Sequence, residues 1–309
     1  MGLPLHPTAD ACGKVIVVGE HAVVYGHPAL AAGVPAGVRL TAAAREVAGD
    51  PITLKIPAWD LDLVLTPDNE HPVARAAAEV LAFCDGPLTG WAIEGVSELP
   101  PGAGLGSSAA LTVALARLVL GPDAPAQDVV AASIAGERVF HGTPSGIDSE
   151  VAARGGVLRF VRGQAVEPIA LGAGALRLCV IPSGIERRTA EQVANVRARR
   201  DRWPSVLDPV LDAVAKLTDA AIGAIERNDL AALGELFDIN QGLLSAMSVS
   251  SGPLDELCST ARSCGALGAK LTGAGGGGCV VCVPPADSSA FGDALARRGF
   301  KPLFIDITA

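Results

Sequence analysis

Residues 98–121 read ELPPGAGLGSSAALTVALARLVLG. Prolines and glycines crowd positions 100–106, two serines follow, and no Gly or Pro interrupts Ser108 to Leu120. That last run is built of helix formers and predicts a helix. The ordinary reading of what precedes it is a tight turn with a serine cap. A sharper reading is a helix N-terminus made to hold phosphate. Gly104 and Gly106 let the backbone bend closely around a ligand. Ser107 and Ser108 put hydroxyls where unpaired N–H groups and the positive dipole end attract anions. A Walker A loop is excluded, since no Lys-Ser/Thr pair follows the glycines. The dinucleotide fingerprint also fails, because the helix runs into GPDAPAQ and a further helix, not a second strand with a ribose-binding acid.

Working outward, Val15–Val18 reads as a buried strand, and strands are expected at 38–44, at ITLKI, at LDLVL and at WAIEGV. A helix is expected over 126–140, then strands in GGVLRFV and LRLCVI. Beyond about residue 170 apolar residues repeat at three and four, from Val206 to Ile225 and from Leu230 to Met247, as in amphipathic helices. Pro253 suits the first turn of a third. GAGGGG, a strand CVVCV, a helix near 291–298 and a strand PLFIDI complete the chain. The expectation is a mixed α/β (α+β) chain of two domains. Residues 1–170 carry the glycine/serine motif, and 171–309 carry the second glycine loop.

Two further stretches invite chemistry. Gly273–Gly278 spells G-x-G-x-x-G but precedes a strand, so a Rossmann turn is excluded. Consecutive glycines are costly in chain entropy unless backbone passes close to a ligand or to other backbone, and both remain open. Cys279 and Cys282, three apart on a strand, point to opposite faces and read as core thiols. In GERVFHGTPSGID (136–148), Glu137 falls late in a helix and Asp148 in a turn-rich loop. Carboxylates on either side of a bend can converge, one holding a metal and one accepting a proton; two surface acids are the ordinary alternative.

Composition narrows the classes. Half the residues are hydrophobic and 18% charged, so the chain is globular. Its net charge of −9, with no basic block, excludes a nucleic-acid partner but not a small anion held locally. No apolar run reaches bilayer length and no signal-peptide pattern opens the chain, so no membrane partner is expected. Seven scattered cysteines favour reduced thiols in the cytoplasm.

Taken together, the motifs resemble the GHMP kinase superfamily, its mevalonate-kinase branch above all. KVIVVGEHAVVYGHPAL (14–30) looks like that family's N-terminal motif. PGAGLGSSAA (101–110) is similar to its phosphate-binding motif, and HGTPSGID (141–148) to the segment with the catalytic acid. KLTGAGGGG (270–278) is similar to its C-terminal glycine loop, with Asn240–Leu244 and Gly184–Thr189 as lesser matches. The resemblance implies a two-domain GHMP kinase fold with the active site in the cleft between the domains, and transfer of the ATP γ-phosphoryl to a hydroxyl. Carried over, Asp148 is the base for mevalonate, with Lys14 beside it. Ser108 and Glu137 coordinate Mg²⁺. Gly102, Gly104, Leu105, Gly106, Ser107 and Ser108, with Gly275 and Gly276, bind the ATP phosphates. Glu20, His21, Ser145 and Thr189 position mevalonate. Ala190 stands where many relatives carry Lys. The expected partners are ATP, mevalonate and, for a homodimer, a second copy of the chain. The alternatives are a phosphomevalonate or sugar kinase, or a non-catalytic metabolite-binding regulator on the same fold.

Overall fold

A computed structural model describes residues 3–99, 102–186 and 189–308. Pro101, Arg187 and Arg188, members of the motifs above, lie outside the described residues. The elements in chain order are β1 (Thr8–Val18), β2 (Ala29–Ala44), β3 (Ile52–Ile56), β4 (Leu61–Leu65), α1 (Pro72–Phe83), β5 (Trp91–Ser97), α2 (Ser107–Leu120), α3 (Ala126–His141), α4 (Ile147–Arg154), β6 (Val157–Phe160), β7 (Glu167–Pro168), β8 (Ala175–Pro182), α5 (Thr189–Arg202), α6 (Pro204–Glu226), α7 (Leu230–Ala246), α8 (Gly252–Ser263), β9 (Gly268–Thr272), β10 (Cys279–Val283), α9 (Ser288–Ala296) and β11 (Leu303–Thr308).

The chain forms two compact units, neither continuous in sequence. The first comprises Met1–Lys14, Pro35–Pro101 and Leu105–Gly155; the second comprises Val15–Val34, Gly102–Gly104 and Gly156–Ala309. In the first unit the strands run in the order β4-β3-β5-β2. β3 and β5 are parallel, and β2 pairs with β5 antiparallel from Val38 opposite Ser97 to Ala44 opposite Trp91. β3 alternates as its period-2 pattern requires, with Ile52, Leu54 and Ile56 in the core. α2 packs against α1, α3 and α4. Enclosed on all sides, it has no polar stripe and buries ten of its residues, Ala109 to Ala116 with Leu118 and Val119. Gly136 is what lets α3 approach: a Cβ there would lie 2.7 Å from Thr112 Cγ2 and 3.0 Å from the Ala76 carbonyl oxygen.

In the second unit an antiparallel sheet has the order β11-β8-β10-β9. α7 and α8 cover β9 and β10, every residue of which is buried. α6 turns Leu207, Leu211, Val214, Leu217, Ala221 and Ile225 inward, as its three-and-four spacing demands. The start of β2 pairs with β6, Ala29 opposite Phe160 through Ala32 opposite Val157.

The sequence reading assigns no helix to 72–83 or 189–202, where α1 and α5 stand. It also places Asp148 in a loop, and the structure places it in the first turn of α4. Gly146, at φ +89°, ends the loop and starts that helix one residue before Ile147. Among the described residues no helix is long and apolar enough to cross a membrane. None of the seven cysteines is in a disulfide.

Candidate active site

In the first unit, Lys14 Nζ lies 3.0 Å from Asp148 Oδ1. The Lys14 side chain is only 4% exposed and that of Asp148 29%, so an almost buried ammonium faces a carboxylate open to solvent. Local packing fixes Lys14: its N–H donates to the Leu105 carbonyl at 2.6 Å, and Gly106 sits against its backbone. Gly106 adopts φ +76°, and a Cβ there would stand 3.1 Å from Lys14 Cβ, so this approach requires glycine.

Gly106 is also the N-cap of α2, and no side chain caps that helix. Ser107 and Ser108 are its first helical residues, so the serine-cap reading gives way to an N-terminus that no side chain caps, the kind of helix start that attracts anions. Leu105 contributes backbone only, its side chain being buried.

Glu137, near the end of α3, is 1% exposed. Burial first, and then the charge of Asp148, push its carboxyl up to about 7, against the pull of the Ser108 hydroxyl and of Lys14. Its Oε1 is buried without a hydrogen-bond partner, while Oε2 is 3.6 Å from His141 Nε2. A buried carboxyl oxygen without a partner is costly in its charged form unless a cation joins it. The structure thus brings together Lys14, Ser108, Glu137 and Asp148. Ser145 lies exposed in the loop before α4.

In the second unit, Glu20 and His21 follow β1. Glu20 is fully buried and both its oxygens are engaged, one by Lys270 Nζ and the other by Asn240 Nδ2 at 3.1 Å. Burial pushes Glu20 up and Lys270 down, while their mutual attraction works against both shifts. His21 has φ +60°, and its Nε2 lies 2.9 Å from the Ala274 carbonyl. A carbonyl only accepts, so the ring carries its proton on Nε2; burial lowers its pKa, favouring that neutral form. Thr272 Oγ1 accepts from Ile16 N–H and donates to the Ile16 carbonyl. Lys270, Thr272 and Ala274, two apart, therefore fasten the 16–21 segment at three points.

The glycines of 273–278 answer their open question mostly with backbone. A Cβ on Gly275 would meet the Val249 carbonyl oxygen at 2.1 Å, and one on Gly277 the Glu186 carbonyl oxygen at 2.7 Å. Gly276, at φ +73°, faces the Gln192 side chain. Gly102 and Gly104 both hold positive φ, and Cys279 Sγ reaches the Ala103 carbonyl between them at 3.3 Å. Thr189 opens α5, partly exposed.

Three features escaped the sequence reading. His141 sits one turn from Glu137. Glu20, Lys270 and Asn240 form one cluster. The hydroxyls of Thr112, Ser133 and Ser149 link three helices. For the last, the signal was helical spacing: Thr112 is four residues after Ser108, and Ser133 four before Glu137.

Family models for the GHMP kinases N terminal domain and the GHMP kinases C terminal region match residues 72–156 and 221–301. The mevalonate kinase of Pyrococcus horikoshii is 35% identical, with 97% of this chain and 95% of that protein covered. That of Aeropyrum pernix is 37% identical, with 95% and 97% covered. Among solved structures, L. major mevalonate kinase in complex with R-mevalonate aligns over 100% of both chains with a TM-score of 0.86 at 28% identity.

Proposed function

Because the chain belongs to the GHMP kinases, we propose that it transfers the γ-phosphoryl group of ATP to the 5-hydroxyl of mevalonate, yielding 5-phosphomevalonate and ADP for isoprenoid biosynthesis. The observation that carries the mechanism is the 3.0 Å pair of buried Lys14 and solvent-open Asp148, beside the uncapped start of α2. Asp148 accepts the hydroxyl proton as the new O–P bond forms and the bond to the ADP oxygen breaks. Lys14 pairs with the Asp148 carboxylate and offsets charge building on the transferring group. Backbone N–H groups at Gly106, Ser107 and Ser108 hold phosphate oxygens. These parts position and neutralise, which is what phosphoryl transfer asks of a protein.

The orphaned Oε1 of Glu137 and the hydroxyl of Ser108 fit a magnesium ion. Among the described residues no cluster of three His, Cys, Asp or Glu could cage a metal, so a bound ion would take its remaining ligands from phosphate and water, as magnesium prefers. When bound, the ion neutralises phosphate charge. Ser145, His21 and Thr189 are the residues that the family resemblance assigns to mevalonate, and Glu20 serves by holding the His21 turn in place. Gly102, Gly104, Gly275 and Gly276 belong to the ATP-binding reading. A cytoplasmic location belongs to the same reading, and a homodimer is one state it allows.

The test is ADP release with ATP and Mg²⁺ against mevalonate, phosphomevalonate, homoserine and galactose. Turnover with mevalonate alone is expected; turnover with another of the four moves the substrate assignment. Asp148→Asn is expected to keep the fold and lower kcat roughly 10²- to 10⁴-fold, the usual worth of a general base. Near-normal turnover removes Asp148 from that role.

A further inference from the structure

Beneath Ser108, Glu137 and Asp148 runs a chain of three hydroxyls in an otherwise apolar layer. Thr112 Oγ1 on α2 lies 2.8 Å from Ser133 Oγ on α3, which donates to Ser149 Oγ on α4 at 2.9 Å. All three side chains are buried, with exposures of 0, 0 and 1%. Each stands within one turn of a residue of the proposed site. Thr112 follows Ser108 by a turn, and its single hydroxyl proton can go either to Ser133 or to the Ser108 and Ala109 carbonyls, 3.2 and 3.1 Å away; Ser133 precedes Glu137 by a turn; Ser149 adjoins Asp148. Around them the buried neighbours are small and apolar, Ala109, Ala132 and Ala152 among them, and Gly136 brings α3 close to Thr112, so the hydroxyls are the directional contacts in this layer.

We infer that Thr112, Ser133 and Ser149 are positioning residues, whose hydroxyl chain fixes the register of α2, α3 and α4 and so the spacing of Ser108, Glu137 and Asp148. Apolar packing supplies the attraction between these helices but not a unique register, because it is non-directional. Hydrogen bonds at 2.8 and 2.9 Å are directional, and a slide of one helix by an ångström breaks them. Removing one hydroxyl leaves its buried partner unpaired and lowers stability modestly, but a structural role alone predicts little effect on the chemistry. The positioning role predicts that metal binding and kcat suffer as well. The inference rests on the reading of Ser108 and Glu137 as the metal-holding pair and of Asp148 as the base.

Thr112→Val removes the hydroxyl and keeps the shape, Thr112→Ser keeps the hydroxyl and removes the methyl, and Ser133→Ala cuts both links with the smallest change. Each would be followed by the Mg²⁺ concentration for half-maximal rate, kcat, KM for mevalonate, Mn²⁺ binding to the protein–ADP complex by electron paramagnetic resonance, and thermal melting. In Thr112→Val and Ser133→Ala, metal demand is expected to rise and Mn²⁺ affinity to fall by roughly 3- to 30-fold, within or below the range known for residues behind metal ligands. kcat is expected to fall, with KM for mevalonate close to wild type, a modestly lower melting temperature, and Thr112→Ser restoring the wild-type profile. Unchanged metal binding and kcat in both hydroxyl-free variants overturn the inference. So does a Thr112→Ser protein as impaired as Thr112→Val, which would make the methyl, not the hydroxyl, the working part. Glu137→Gln is the control. If it leaves Mn²⁺ binding unmoved, the metal reading itself has failed, and kcat of the hydroxyl-free variants, acting through Asp148, alone upholds or overturns the network.

Discussion

Glu137 shows how burial and charge at a single residue become a pH dependence. Its carboxyl titrates near 7 in the fold and near the ordinary 4.5 when unfolded. Between those values the folded protein holds a proton that the unfolded chain has lost, so the stability of the metal-free protein falls as pH rises from about 4.5 to about 7 and is level above. The fall is on the order of 3 kcal/mol. Denaturant unfolding across this range should show it, and Glu137→Gln should flatten it; equal slopes in the two proteins would contradict the burial of a charged-form carboxylate. A bound cation favours the carboxylate, so loading with magnesium and nucleotide below pH 7 should release a proton. The residue identities were legible: Lys14, Ser108, Glu137 and Asp148 are chemistry-bearing types inside motif-like stretches. Their convergence was not, since it depends on Gly106 packing on Lys14 and on α3 and α4 meeting α2, contacts between segments far apart in sequence.

Elements explain why the site residues hold still. On β9 the period-2 rule sends the Lys270 and Thr272 side chains to one side, where both grip the 16–21 segment, and just past the strand the Ala274 backbone carbonyl holds His21. The strained φ of His21 persists because this row over-determines it. Lys270→Met strips Glu20 of its counter-charge and is expected to cost about 3–5 kcal/mol, the usual penalty for one widowed buried ion. Adding Glu20→Gln removes the stranded charge and should recover most of that loss, with Asn240 still able to hydrogen-bond the amide. A double-mutant cycle by chemical denaturation reads the coupling, and additive losses would show that the pair is not one unit. The strand and its glycines could be read from the sequence, but the partner of Lys270 could not: an isolated Lys and an isolated Glu look like surface charges until topology buries both. Asp148 was misplaced for a related reason. Pro144 and Gly146 signal a turn, and only the left-handed Gly146 shows that the turn is already the start of a helix.

At the scale of the whole molecule the decisive fact is that each unit borrows chain from elsewhere. A change of hydrophobic pattern along the sequence marks where the helices lengthen, and that is what set the expected boundary near residue 170. Pattern is local, so it does not register that Val15–Val34 belongs to the second unit while the chain on either side of it belongs to the first. The borrowed segment is not an ornament of the second unit. It supplies Ala29–Ala32 as the partner strand of β6, Ala22 to the core around Cys179 and Leu244, and Glu20 as the only described counter-charge bonded to Lys270. A fragment of residues 156–309 would therefore expose the edge of β6, leave a buried ammonium unpaired and lose part of its core, faults that together take up much of the margin of an ordinary domain. Expressed alone, that fragment is expected to lack a cooperative unfolding transition and to show few slowly exchanging amides in β8–β10. Fusing residues 15–34 to its N-terminus through a flexible linker should restore both. If 156–309 already unfolds cooperatively with protected strands, the borrowed segment is peripheral to that core, and the stability of the second unit must be sought in α6–α8 alone.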